Sequence, residues 1–367
     1  MDLEKKCRSN QLYRPYQFRC QEGWLAARTC EQPTAVLDNG IWRNGIGADQ
    51  KPMEKKFHLK IAVTGVMRGE IAAQIALAFY ENLRGTSNQL SLVFGSSDSE
   101  LGGTGAPLAI GRKKYDLAFA NPAALARMAL LGRGFYQTRI PLRAIGVFPS
   151  WDRLAFAVHE RTGIRSLEEL KKNRYPLRVS TREGGKYHST LFAINEALRA
   201  YGLGFGEIEK WGGKILRVGN PSSKERKRQI ENGELDAVFD EGLKSWGVPA
   251  LDHGMRLLPL NDAVLRRLER LGYTRATVTP SYYPQLERPV DTLDFSGWLL
   301  FCHRDLPNSI AHDIAAKVDL ARDTIPADHF DGRQMTMQEF CQGGEAGPLC
   351  IPLHPGARRY FKEKGYL

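Results

Sequence analysis

The chain has 367 residues, of which 42% are hydrophobic and 25% charged, an ordinary globular balance that leaves room for two domains with substantial cores. No apolar run approaches the ~18 residues that a membrane helix needs. The net charge is +11, which suits nucleic acid, a membrane surface or anionic small molecules, but no recognised nucleic-acid motif accompanies it and no nucleic-acid partner is expected. The densest basic run, KERKR at 224–228, precedes Ile230 on an amphipathic pattern and reads as a solvated helix face.

Residues 1–56 mix isolated Trp, Tyr, Cys and Arg with Gly and Asn and hold no period of 2 or 3.6. They read as an irregular or disordered extension that adds little to stability. The segment MDLEKKCRSN lacks the apolar stretch of a secretory signal, so the sequence taken as complete points to the cytoplasm. Met53, just before EKKFHLKIAVTG, is a candidate natural start. The six cysteines, at 7, 20, 30, 302, 341 and 350, form no CxxC pair, and no metal site is expected. Cys341 and Cys350 bracket a Gly/Pro loop and read as free thiols, or as a bridge in an exported protein.

From residue 57 the pattern becomes regular. A buried strand over 60–63 leads through a loop at 64–69 into a helix over 70–83, with Ile71, Ile75, Ala78 and Phe79 on one face. A strand over 90–94 ends in Gly95-Ser96-Ser97-Asp98-Ser99, and a third over 115–119 ends at Asn121-Pro122. The order then recurs: a strand over 177–180, a loop TREGG, a helix over 186–201 closed by Gly202, a strand over 215–218, a helix through Ile230 and a strand ending at Phe239. Such alternation implies mainly parallel sheets covered by helices, in two lobes of one architecture. Two extended runs, 143–158 broken at Pro149-Ser150-Trp151 and 292–303, read as crossings between the lobes. A helix follows from 309 to 321.

Four pieces carry a resemblance: IAVTG with its Gly loop at 61–69, YDLAFANPAAL at 115–125, the stretch from Ser166 containing PLRVSTREGGKYHSTLFAINEALRAYGL, and the ending PLHPGARRYFKEKG at 352–365. From about Leu59 to the C-terminus the chain resembles the type 2 periplasmic solute-binding fold, and within it the TAXI family, solute-binding subunits of TRAP transporters. It departs in having an acidic turn, Asp240-Glu241, after the second-lobe strand. The resemblance implies a two-lobed α/β protein with a ligand cleft and a two-crossing hinge. Lobe I would take residues 57–150 and 285–367, and lobe II residues 151–284. It also implies a periplasmic location, TRAP-type membrane permease subunits as partners, and no cofactor.

In open α/β sheets ligands sit beyond the carboxyl ends of the strands. The loops that end there bring Thr64, Gly65 and Arg68, then Ser96, Ser97 and Asn121 from the first lobe. The second lobe brings Ser180, Thr181, Arg182, Gly184, His188 and Asp240. A helix N-terminus in each lobe favours an anion, and Arg68 and Arg182 suit a carboxylate. The same glycine turn also reads as an ordinary βα connection with solvated charges. Trp151 and Trp298 read either as a cleft wall or as core packing, and Asp240-Glu241 as an ammonium partner, as supports for the arginines, as a general base, or as a solvated turn. Two function classes follow. One is a solute-binding protein closing on a small anionic carboxylate ligand, a dicarboxylate or amino acid. The other is a cytoplasmic, cofactor-independent lyase of the decarboxylase or dehydratase kind, with His188, Arg182 and Asp240 as its catalytic set.

Overall fold

The computed structural model describes residues 57–367; the extension read over residues 1–56 lies outside the described residues. Its strands are β1 (His58–Thr64), β2 (Gln89–Gly95), β3 (Leu117–Ala120), β4 (Leu142–Phe148), β5 (Arg153–His159), β6 (Arg178–Arg182), β7 (Lys214–Val218), β8 (Ala237–Asp240), β9 (Met255–Leu257), β10 (Arg275–Val278), β11 (Val290–Asp294) and β12 (Trp298–His303). They form two sheets. The first runs β2-β1-β3-β12-β4 and the second β10-β11-β5-β8-β6-β7, with β9 paired to β5.

Each sheet repeats one arrangement. The first strand of a unit lies between the second and third in parallel pairing, β2-β1-β3 in one sheet and β7-β6-β8 in the other. Beside the third strand lies an antiparallel strand delivered from the other sheet, β12 next to β3 and β5 next to β8. The protein is a two-lobed α/β fold of the type 2 periplasmic-binding-protein kind, and the expected likeness of the two halves is a likeness of strand order.

Local sequence accounts for the elements that shape the cleft. β1 starts with His58 and Lys60 outward and Leu59 inward, then is buried through Thr64, where Ile71, Ala72 and Ile75 of the helix Val66–Ala78 pack with Ile61 and Val63. That helix starts four residues before the expected position. Gly65, at φ 79, turns the chain in one residue, and the supposed loop is the helix's first turn. In the second lobe the helix Ser189–Ala200 starts three residues later than its apolar spacing suggested, because His188 takes the N-cap position.

The run 292–303 is not one strand. It breaks at 295–297, sending β11 into the second sheet and β12 into the first. Gly297, at φ 86, permits the break, and a Cβ there would lie 2.9 Å from the Cα of Gly347. The switch between sheets thus falls beyond the 284/285 boundary read from the sequence. The two crossings are stitched together: Phe295 N–H donates to Asp152 O at 3.1 Å and Gly297 N–H to Ser150 O at 2.9 Å. Buried Arg153 donates to Asp294 at 2.9 Å and to Ser296 Oγ at 2.7 Å.

Two C-terminal passes brace these crossings. Trp151 N–H donates to Asp328 O at 2.8 Å, and Ser150 N–H to Ala346 O at 2.6 Å. Phe330 stacks edge-on against Trp151 and Tyr282 at 4.8 and 4.6 Å. In front, the lobes touch again. Thr104 N–H donates to Tyr187 O at 3.0 Å, and Phe135 meets the rings of Tyr187 and Phe192 at 6.0 and 5.9 Å. One continuous apolar core holds residues of both lobes, including Met128, Leu154, Val179, Leu265 and Leu299. Cys302, Cys341 and Cys350 are free thiols.

Candidate functional site

Between the lobes, at the carboxyl ends of the central strands, lies a cavity of about 260 Å³. It is lined from the first lobe by Thr64, Arg68, Ser97 and Asn121, from the second by Arg182, His188, Glu241 and Lys244, and at the hinge by Trp151 and Asp152. The first-turn position of Arg68 explains its direction. Its Nε donates back to Thr64 O at 2.5 Å, and its guanidinium lies over Gly65, where a Cβ would stand 2.7 Å from Nη2. Burial pushes the Arg68 guanidinium down to about 10, with the Glu241 carboxylate opposing the shift.

Arg182 ends β6 and reaches Glu241 at 2.9 Å, both side chains close to nine-tenths buried. Its Nε and Nη1 have no hydrogen-bond partner of good geometry. Arg68 and Arg182, one from each lobe, therefore converge on a single glutamate. Of the alternatives open for the acidic turn, Glu241 takes the support of the arginines.

His188 caps the helix Ser189–Ala200, its Nδ1 accepting from Leu191 N–H at 3.5 Å. Burial, then the neighbouring Arg182 charge, lowers its pKa, so the ring is neutral near pH 7. Gly184 makes room for it: a Cβ there would lie 2.4 Å from the imidazole. The helix's first residues, Ser189 and Thr190, line the cavity, which keeps the expected helix N-terminus at the site.

Some expected residues are not at the cavity surface. Ser180, Thr181 and Asp240 are fully buried in the floor. Ser180 Oγ accepts from Arg226 Nε at 2.9 Å, and Thr181 Oγ1 donates to Phe239 O at 2.9 Å. Asp240 faces Arg226 at 2.6 Å, with neither side chain exposed. Burial, opposed by Arg226, pushes the Asp240 carboxyl up to about 7. This corrects two sequence readings. Asp240 supports the Glu241 backbone, accepting from its N–H at 2.8 Å, and does not join His188 and Arg182 as a reacting group. Arg226 leaves the basic run to fill a buried position, because a β-strand carboxylate beneath the helix Lys224–Glu231 needs a partner. Gly65 is not in the lining, and Ser96 and Gly184 line a neighbouring space beside Ser97, Arg182 and His188.

Trp151 and Trp298 are both wall and core: each lines the cavity while 1% and 6% exposed. Arg153 sits 4.6 Å over the Trp151 ring. Asn121 lines the cavity and donates to Phe295 O at 3.3 Å, tying the first lobe to a crossing.

Sequence reasoning missed Asp152, Lys244 and Asp328. Asp152 receives the N-terminus of the helix Leu243–Asp252, accepting from Gly242 N–H at 2.8 and 2.9 Å and Leu243 N–H at 3.2 Å. Burial and the adjoining Glu241 carboxyl push the Asp152 carboxyl well up, against these backbone donors. Lys244 pairs with Asp328 of the C-terminal pass. Asp152 had one readable signal, its place beside Trp151 in the broken crossing; Asp328 had none, since 30 residues separate it from the nearest site position read from the sequence, Trp298.

Among solved structures, the chain is similar to a periplasmic sulfonate-binding protein, SsuA, from Methylobacillus flagellatus KT, at 14% identity over 83% of this chain and 77% of that one, with a TM-score of 0.37. It is similar to a TctC solute-binding protein from Polaromonas at 13% identity, 72% and 84% coverage and a TM-score of 0.37. A glycine betaine/L-proline-binding protein, ProX, from Borrelia burgdorferi gives 14%, 67% and 75%, and a TM-score of 0.38. A family profile matches across both lobes, from residue 102 to residue 365, and on that match the chain belongs to the NMT1-like family.

Proposed function

We propose that this protein is a solute-binding protein whose two lobes close on a small carboxylate-containing ligand for delivery to a membrane transporter, in the manner of the TAXI subunits of TRAP systems. The observation that carries the reading is the convergence of Arg68 and Arg182, from opposite lobes, over Glu241 in the interlobe cavity. Only closure brings two such charges to one ligand, so binding energy is spent on holding the lobes together.

Charge counting refines the ligand class. Three cations, Arg68, Arg182 and Lys244, face three carboxyl groups, Asp152, Glu241 and Asp328. Asp152 lies against Glu241, and the upward push on Asp152 from burial and that neighbouring carboxyl favours its protonated form. One positive charge then remains for the ligand, which fits a single carboxylate held inside better than two. The unpartnered Nε of Arg182 supplies a donor, and Trp151 and Trp298 supply an apolar wall.

The test is a thermal-shift screen of carboxylic acids, amino acids and dicarboxylates against the wild type and Arg182→Ala. A binding acid raises the melting temperature by mass action, and the rise disappears in the variant. A library in which uncharged ligands stabilise both proteins equally would defeat the carboxylate reading.

A further inference from the structure

The cavity described above is the inner of two chambers. Beyond Ser97, Arg182 and His188, which line both, lies an outer space of about 490 Å³ bounded by Ser96, Asp98, Glu183, Gly184, Gly185 and Gly219. The charged residues it adds beyond Arg182 are both acidic, Asp98 and Glu183. Asp98 Oδ1 is buried there without a hydrogen-bond partner, an arrangement that costs free energy unless something donates to it. Glu183 adds a second carboxylate at the same wall.

The glycines point the same way. A Cβ on Gly185 or Gly219 would meet nothing within 4 Å, and neither residue has a positive φ. Neither backbone conformation nor packing against the protein requires glycine at these two positions. What their missing side chains leave is room in the outer chamber. Gly184 differs, since the His188 ring occupies its Cβ position.

We propose that the outer chamber is a second subsite, and that the ligand is an elongated acid whose carboxylate lies at Arg182 and whose far end carries an amino group that donates to Asp98. This rests on the carboxylate reading above and extends it. The inner chamber then holds the anionic end, Arg182 and His188 form the waist, and Asp98 with Glu183 receives the cationic end. A ligand with separated charges of this kind satisfies the orphaned Asp98 oxygen and the unpartnered Arg182 Nε together.

Calorimetric titration with ω-amino acids from glycine to 6-aminohexanoate, and with acetate and hexanoate, tests the subsite. The longer amino acids are expected to bind at least about tenfold more tightly than hexanoate or glycine. Asp98→Asn, which keeps the shape, removes that advantage and leaves hexanoate unchanged. Gly219→Leu, which fills the chamber without backbone strain, weakens the long amino acids about tenfold and leaves acetate within about twofold. Should Gly219→Leu fail to fold, Gly185→Leu makes the same test. If 6-aminohexanoate binds no better than hexanoate, or if Asp98→Asn weakens every acid equally, the subsite is overturned while the carboxylate site stands. If no acid of any length binds the wild type, both readings fall.

Discussion

Replacing Arg182 by alanine removes one of the two guanidinium groups at the cavity and leaves Glu241 without the partner 2.9 Å away. Two separate losses follow. Affinity for a bound carboxylate falls by about 2–5 kcal/mol, the range for truncating one side of a desolvated charge pair, or roughly 30-fold to several-thousand-fold in Kd. Stability falls as well, because a mostly buried glutamate keeps only the more distant Arg68; partial exposure brings this below the full cost of breaking a buried pair, to about 1–3 kcal/mol. The two are separable. In Arg182→Ala/Glu241→Gln the stranded carboxylate is neutralised, so urea denaturation recovers most of the lost stability while titration still shows the lost affinity. Arg182→Lys weakens binding to an intermediate degree, since an ammonium cannot replace the planar fork. If Arg182→Ala and the exposed variant Lys227→Ala lowered affinity by the same small amount, the +11 charge would be acting as a general field and the cleft assignment would be wrong.

Within the basic run, Arg226→Ala should cost about 3–5 kcal/mol in denaturant unfolding because it strands fully buried Asp240, whereas Lys224→Ala and Lys227→Ala should stay within about 0.5 kcal/mol. Comparable values for all three would contradict the buried pair. Asp236 is held down to about 2: burial opposes ionisation, but hydrogen bonds from Arg178 and Arg161 outweigh it. Against an unfolded value near 3.9, its contribution of about 2 kcal/mol is complete above pH ~4 and lost as pH falls through about 2, so the stability gap between the wild type and Asp236→Asn should close over that interval. A gap independent of pH would refute the assignment. Gly103→Ala places a Cβ 1.9 Å from Tyr187 O at a φ of 49, so the front of the cleft must part; small-angle scattering should show a larger radius of gyration and titration a weaker ligand, and unchanged values for both would mean that the Thr104–Tyr187 contact yields freely.

The lobes, their alternating elements and the two crossings were legible because each rests on local periodicity. β1 and β6 could be read from apolar runs flanked by glycine turns, and the helix Asn308–Ala321 from its 3.6-residue spacing. The helix Asp262–Leu271 went unread although Asn261 caps it and Val264, Leu265 and Leu268 are buried along one face. What local pattern could not show is which strand end belongs to which sheet. Thr292 and Trp298 belong to one apolar run, and only the tertiary pairing of β11 with β5 and of β12 with β3 divides them. At the site, Arg68, Arg182 and His188 were readable because helix starts and strand ends announce themselves. Asp240 was misplaced because strand alternation near a turn does not reveal that Arg226, 14 residues earlier on a different element, enters the core to meet it.

The position of β12 has a consequence for how the molecule comes into being. It lies between β3 and β4, antiparallel to both, yet it is the last strand in the chain. Until it is made, β3 and β4 have no shared partner, and each presents an open edge to whatever strand is nearby. β5, its counterpart, is the first strand of the second sheet and is already present when β8 is complete. The β5-β8-β6-β7 part of the second sheet can therefore assemble around an early strand, with β10 and β11 added later at its edge, while the interior of the first sheet waits for a late one. Loop-closure entropy makes that distant pairing slow to form. The lobe that begins the described chain is thus the one with an interior strand that comes last in the sequence.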